Sequence, residues 1–477
     1  MNNETEQIQA EKRKLRRALG FTDLVLFYVT AVVGLRWVAT AAKVGPSAIV
    51  IWLLAFVFLF IPLALAVMEL SSRYPEEGGL YVWTKRAFGN FHAFLAGWMY
   101  WWSNIVYFPG LLFFAAGNAA YVIPRYAYLA ENKTYIAVLS MVGLVIALLL
   151  NLVGLNVGKW LSNAGGVLGT WLPVLMLVGL GALAWLKFGS ATDFSLRNLK
   201  PQVGSIYDIV FWSSIAFAFG GLESGSFMGE EVRNARRTIP RALLLAGAMI
   251  TFIYIAGTVS LLVALPQEQT NGLSGIIDAI KVTGERVAGQ SAGVVLASLG
   301  ALLQVVAYVG GVGAWMAATA RLPFVAGLDR YLPAAFGKIH SKWGTPYVAL
   351  LVQSALAALF IILAKVAGET AEQAYLILVS LGIIAYFIPY LYLFASLVVL
   401  QREPAPDGVL RVPGGRHGAY LTGVAGTAVV ALSLFLACVP GTEVTNKRTF
   451  FSAVFGTVSI TMLLGILIYW HGRKNRK

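Results

Sequence analysis

Two charges lie where an apolar chain should carry none. The stretch "VVGLRWVAT" (32–40) holds Arg36 in a run from Phe21 to Ala42 whose only other charge, Asp23, stands at its start. The stretch "FAFGGLES" (217–224) holds Glu223, with no lysine or arginine close by in sequence. An ionised side chain deep in an apolar span marks a functional site by default. Both stand beside glycine, Arg36 after Gly34 and Glu223 after Gly220 and Gly221. An arginine offers a planar fork of donors that fits a carboxylate, and a buried carboxylate needs a cation from another helix or a proton. The chemistry on offer is therefore the holding of a small charged molecule. His92, His340, His417 and His471 show no ligand-like spacing, so no metal and no cofactor is expected. No cluster of acids and bases suggests an enzyme.

The chain that positions these residues has 477 amino acids, 58% hydrophobic and only 12% charged. Soluble domains average about 25% charged residues. Runs such as "AIVIWLLAFVFLFIPLALAVM" (48–68) meet the ~20 apolar residues that cross a bilayer. The expectation is an all-α polytopic membrane protein, with the lipid bilayer as its surroundings. The net charge of +14 is spread over loops, which fits membrane orientation rather than nucleic acid. The single Cys438 excludes an intrachain disulfide. The basic run "KRKLRR" (12–17) leads into an apolar segment longer than a signal-peptide core, with no small-residue cleavage site.

Hydropathy gives twelve spans: 21–42, 46–70, 90–122, 134–152, 160–186, 206–229, 241–265, 291–320, 346–366, 373–400, 419–438 and 449–470. With the N-terminus inside, inner segments hold 24 Lys and Arg and outer ones 11, so both termini are expected in the cytoplasm. Loop 187–206 is basic on the wrong side. The polar stretch 272–293 reads as a short helix on the outer face. Spans 90–122 and 291–320 exceed ~20 residues and imply tilt or a break. The 49 glycines fit close helix approach.

Spans one and six carry the candidate breaks, at Gly34–Leu35–Arg36 and at Phe217–Glu223. Broken helices in matching positions of two halves point to a carrier built from inverted repeats. The two are five spans apart, as a five-plus-five repeat requires. Unwound half-helix N-termini would hold a carboxylate, and freed carbonyls an ammonium group or cation. A Gly-Gly pair also serves simply as a packing notch. The segments read as a basic N-terminus (1–20), two five-helix repeats (21–190 and 191–401), helices eleven and twelve (402–470) and a C-terminus (471–477).

"FAFGGLESGSFMGEEVRNARRTIPRAL" (217–243) resembles the sixth-helix signature of the amino acid–polyamine–organocation transporters. "ELSSRYPEEGGLYVWTKRAFG" (69–89), "ARLPFVAGLDRYLPAAFGKIHSKWGTP" (320–346) and "RVPGG" (411–415) resemble that family's loops after helices two and eight and before helix eleven. Within it, "PEEGGLYVW" and "LPAAFGKIHSKWGTP" are most similar to bacterial glutamate/γ-aminobutyrate antiporters, and "EEGGLYVW" also to plant-type polyamine and amino acid carriers.

The resemblance implies a leucine-transporter-like fold, alternating access, and substrate gripped by broken helices one and six with helices three, eight and ten around it. It places Phe217 as the aromatic over substrate, followed by Ala218, Phe219, Gly220 and Gly221, with Glu223 closing the Gly-x-Glu core. Helix three contributes Trp101 and Asn104, helix eight Trp315 and helix ten Tyr386. Interfacial or lipid-facing positions are the alternative for the tryptophans. Glu223 is either a proton-sensitive hinge or a structural tie.

Two departures stand out. A Gly-Ser-Gly-like stretch common in helix one is here Gly34–Leu35–Arg36. Helix five, "GGVLGTWLPVLMLVG" (165–179), lacks the lysine of some proton-coupled relatives, which points to exchange or to a cationic role for Arg36.

The function expected is therefore secondary active transport of amino acids across the cell membrane, by exchange or with protons. Polyamine uptake would set a cationic substrate against Arg36, and a transporter-like nutrient sensor shares the same sequence features. Ion channels want rings of polar residues, which are absent. Arg36 itself has three readings: facing a substrate carboxylate, pairing with Glu223 or freed carbonyls, or snorkelling to outer water.

Overall fold

An apolar run in hydrocarbon must satisfy its backbone polar groups internally, which leaves the helix as the open solution. The computed structural model describes residues 18–154, 160, 163–269, 275–367, 371–439 and 447–474, and among these the regular elements are helices. The basic run 12–17, Lys159 and residues 440–446 fall outside them. In chain order the helices are α1 (Phe21–Val32), α2 (Leu35–Ala42), α3 (Ala48–Ala55), α4 (Ile61–Arg73), α5 (Leu80–Phe88), α6 (Asn90–Ala120), α7 (Lys133–Leu152), α8 (Leu172–Phe188) and α9 (Ile206–Ala216). They continue with α10 (Ala235–Ala264), α11 (Gly275–Ala288), α12 (Gln290–Thr319), α13 (Arg321–Leu328), α14 (Tyr347–Ala367), α15 (Ala371–Val399), α16 (Gly415–Ala437) and α17 (Lys447–Lys474).

Among the described residues nine helices are long and apolar enough to cross a membrane, and the bent pair α1–α2 makes a tenth. This is a multi-pass membrane protein. The count falls short of the twelve expected for two identifiable reasons. The 31-residue α6 is rich in Trp and Tyr and carries Asn90, Asn104 and Asn118, which lowers its hydropathy. The segment from α9 to Glu231 is divided into short pieces.

The two interrupted segments differ in detail. α1 and α2 meet at 43° across Val33 and Gly34, both extended. α9 ends at Ala216, passes through a 3-10 turn (Phe217–Phe219), and turns at Gly220 and Gly221 into a second 3-10 stretch, Ser224–Glu231. Gly221 sits at φ +112°, a region that disfavours side chains, and a Cβ there would lie 2.7 Å from the Trp315 ring. Leu19 pairs with Val232 in an isolated parallel bridge, tying the start of the described chain to the end of this segment.

Around these breaks pack α10 (on α1, α2 and α4), α6 (on α5, α12 and α15) and α12 (on α1). A π-helical turn at Gly165–Trp171 lies against α12, where a Cβ on Gly165 would come within 3.1 Å of the Gly310 Cα. Of the polar stretch 272–293, Gly275–Ala288 form α11, distinct from the long α12 that starts at Gln290, and 272–274 lie outside the described residues.

Candidate functional site

The two breaks face one another, and a single hydroxyl braces them. Tyr254, fully buried on α10, places its Oη 2.9 Å from both the Val32 and the Ala218 carbonyl oxygens, and accepts the Gly34 N–H at 3.4 Å. Trp315 on α12 donates its ring N–H to Ala31 O at 2.6 Å. Gly221 N–H donates to the Tyr390 hydroxyl on α15 at 2.8 Å. Buried backbone groups that lose their helical partner must find another. Here side chains take them. In this structure the groups freed at Gly34, Val32 and Ala218 are held by Tyr254.

Between the breaks lies a cavity of ≈ 20 Å³, room for about one water molecule. Its wall includes Trp37, Asn104, Tyr107, Phe217, Trp315 and Tyr386. Phe217 meets Trp37 and Tyr386 edge to face, with ring centres 5.9 and 5.3 Å apart. Entry of anything larger than water requires these rings to move.

Tyr386 leads down to Glu223, which is fully buried and receives three tyrosine hydroxyls. Tyr386 and Tyr390 donate at 2.7 and 2.6 Å, and Tyr100 on α6 donates to the same oxygen as Tyr386. The Tyr386 and Tyr390 hydroxyls, one turn apart on α15, stand 2.8 Å from each other, so either can turn its one proton from Glu223 to its neighbour. Glu223 thus answers its lack of a cation with O–H donors from two other helices. Its expected pairing with Arg36 is not made in this structure.

Arg36 is 2% exposed, so it does not reach outer water as the snorkelling reading requires. Its guanidinium stands 4.7 Å from the Trp37 ring centre and 5.2 Å from that of Tyr107, and it donates to the Tyr107 hydroxyl at 3.1 Å.

The remaining candidates separate. Asn104, Phe217, Ala218, Gly220, Trp315 and Tyr386 line the cavity. Trp101 does not. It lies one residue, about 100° of helix, beyond Tyr100, and donates instead to Gln353 on α14 at 3.1 Å. Phe219 packs on Trp52, Phe60 and Tyr254. Leu35 is buried in the core and Gly34 is bonded to Tyr254. Tyr100, Tyr107, Tyr254 and Tyr390 were not singled out by sequence. Tyr100, Asn104 and Tyr107 follow an i, i+4, i+7 pattern, a signal for one helix face. Tyr254 left none.

A second buried charge cluster closes the end of the bundle where the basic loops gather. Arg321 at the start of α13 forks onto both oxygens of Glu231 at 2.8 and 2.7 Å, lies 3.5 Å from Glu77 and donates to Ala317 O. Glu77 accepts the Glu230 N–H at 3.1 Å, while Gly78 N–H donates to Phe227 O at 3.0 Å. Burial holds both the Glu77 and the Glu231 carboxyls above the usual carboxylate range; their mutual repulsion adds to this at Glu77, and Arg321 opposes it at both. Loop 75–79, segment 224–231 and α13 are thereby clamped together. At the opposite end opens a polar cleft lined by Lys43, Asp193, Lys200, Asp208 and Glu268. Among the described residues no group of three His, Cys, Asp or Glu could hold a metal ion.

A family model described as amino acid permease matches residues 19–467. The chain is 27% identical to an uncharacterised transporter of Legionella pneumophila, over 92% of this chain and 93% of that protein. It is 24% identical to a probable agmatine/putrescine antiporter of Lactococcus lactis, over 78% and 80% of the two chains. A glutamate/γ-aminobutyrate antiporter of the same organism is 22% identical over 87% and 83%.

Proposed function

This chain belongs to the amino acid permease family, and from that premise we propose that it carries amino acids or amines across a cell membrane by alternating access, as an exchanger or with protons. The observation that carries the reading is the cavity between two helix breaks, walled by aromatics on one side and floored by a tyrosine-held carboxylate on the other. Such a site has one thin barrier toward each end of the bundle, which alternating access needs. Phe217 and Trp37 form the barrier toward the polar cleft. Tyr100, Tyr386, Tyr390 and Glu223 form the floor, with the Arg321 clamp beneath it.

The wider architecture follows from the same reading. Segments 21–190 and 191–401 are the two five-helix repeats of a twelve-helix protein, 402–470 supplies the last two, and both termini lie in the cytoplasm. The substrate site comprises Arg36, Asn104, Phe217, Ala218, Gly220, Trp315 and Tyr386, joined by Tyr107. Glu223 is the hinge where a proton or a conformational change loosens the floor.

The test is flux. Purified full-length protein in proteoliposomes loaded with unlabelled glutamate, γ-aminobutyrate or putrescine should take up the corresponding labelled compound faster than empty vesicles do. Absence of flux for every compound, with and without internal substrate or a pH gradient, would sink the carrier reading.

A further inference from the structure

The cavity wall on α6 carries two polar groups whose capacity the protein itself does not fill. The Asn104 side-chain amide donates to Tyr100 O at 2.8 Å. Because a carbonyl only accepts, this contact fixes which end of the amide is nitrogen. The carboxamide oxygen then remains an acceptor, and among the described residues nothing donates to it. One turn further along, Tyr107 accepts a hydrogen bond from Arg36. Its own O–H proton is left to donate, and among the described residues no acceptor takes it. Both residues line the cavity, and Asn104 is 2% exposed. A buried polar side chain without a full set of partners calls for a ligand or water.

We infer that Asn104 and the Arg36–Tyr107 pair form the two poles of a zwitterion site, so that the carrier selects substrates bearing a carboxylate and no net positive charge. The inference rests on the carrier reading above and narrows it. The ammonium group of the substrate donates a hydrogen bond to Asn104 Oδ1. The carboxylate accepts the Tyr107 O–H, which Arg36 polarises by occupying the phenol's lone pair and by placing a fixed positive charge behind it. This assignment differs from one in which bare backbone grips the carboxylate, because Gly34 N–H is already bonded to Tyr254. A diamine fares badly in such a site. It has nothing to accept the Tyr107 proton, and its second ammonium faces the arginine, so binding weaker by on the order of a hundredfold is expected from the charge repulsion in a low-dielectric wall.

Binding and flux are measured separately on the full chain. The thermal unfolding midpoint of the purified protein is followed against L-glutamate, γ-aminobutyrate and putrescine, since a ligand bound by the folded form raises it. Stabilisation by one or both amino acids, with far less by putrescine at the same concentration, is the expected result. Tyr107→Phe, which keeps the ring, should weaken the amino acid about tenfold. Arg36→Met should in addition let putrescine compete, and Arg36→Lys should keep the exclusion of putrescine. Stabilisation by putrescine as strong as by the amino acids, no stabilisation by either amino acid, or unchanged affinity in Tyr107→Phe would each overturn the inference. Stabilisation without flux would leave the site standing and remove the carrier reading instead.

Discussion

The 3-10 stretch Ser224–Glu231 begins just after one buried carboxylate, Glu223, and ends on another, Glu231, and the protein treats them oppositely. Glu223 in the middle of the bundle is met by three neutral hydroxyls and, among the described residues, by no cation. Glu231, two turns on, shares Arg321 with Glu77. A guanidinium gripping both oxygens is strong and geometrically strict. Removing one partner of such a buried pair leaves an uncompensated charge. Hydroxyl donors can instead rotate and exchange partners, as the Tyr386–Tyr390 contact already permits. In the proposed carrier, the floor that opens is built from groups that let go easily, and the clamp beneath it from groups that do not.

The sharpest way to break this contrast is to remove the cation. Arg321→Met should destabilise the protein by about 3–5 kcal/mol, seen as lost expression or a steep fall in the thermal unfolding midpoint. Glu223→Gln should cost less, roughly 2 kcal/mol, because the amide keeps one oxygen for the tyrosine donors and loses only their charge-assisted strength. An equal loss in the two variants would erase the distinction.

Glu77→Gln sharpens it through pH. Burial and the neighbouring Glu231 hold the Glu77 carboxyl above its ordinary range, against the pull of Arg321. The folded protein therefore binds that proton where the unfolded chain has released it. The associated stability is present below the ordinary carboxylate pKa of ~4.3 and is lost as pH rises through the raised folded value. Unfolding midpoints at pH 5 and pH 8 should differ less in Glu77→Gln than in the parent chain. The smallest effect belongs to Arg86→Ala. Its bridge to Glu76 is short, 2.8 Å, but both partners are partly exposed to solvent, so a change within about 0.5 kcal/mol is expected.

Much of the site was legible in the sequence because it breaks a local rule. Arg36 and Glu223 are charges in apolar runs, and Gly220–Gly221 is a break beside one of them. On α6 the choice between Tyr100 and Trp101 could not be made locally. Tyr100, Trp101 and Trp102 are adjacent aromatics, and hydrophobic patterning on a helix buried on most sides carries little phase information. Tyr254 is one aromatic within a 30-residue helix. Only the approach of two distant breaks makes its hydroxyl matter. Arg321, Glu77 and Glu231 stand in loops and helix ends, where a charge breaks no local rule, and Arg321 counts there only as one of the basic residues that orient the chain in a membrane.

Composition and hydropathy alone determined that this is a helical, multi-pass membrane protein, because lipid leaves an apolar chain few other ways to satisfy its backbone. The motif at 217–243 and the loop motifs at 69–89, 320–346 and 411–415 added the family. Which side chain meets which charge was decided only by the tertiary structure. Arg36 turned to Tyr107 rather than Glu223, and tyrosines rather than an open site took the freed backbone groups. Hydropathy sums over neighbours in sequence, whereas a buried polar atom is satisfied by whatever donor the packing brings within about 3 Å, from anywhere along the chain.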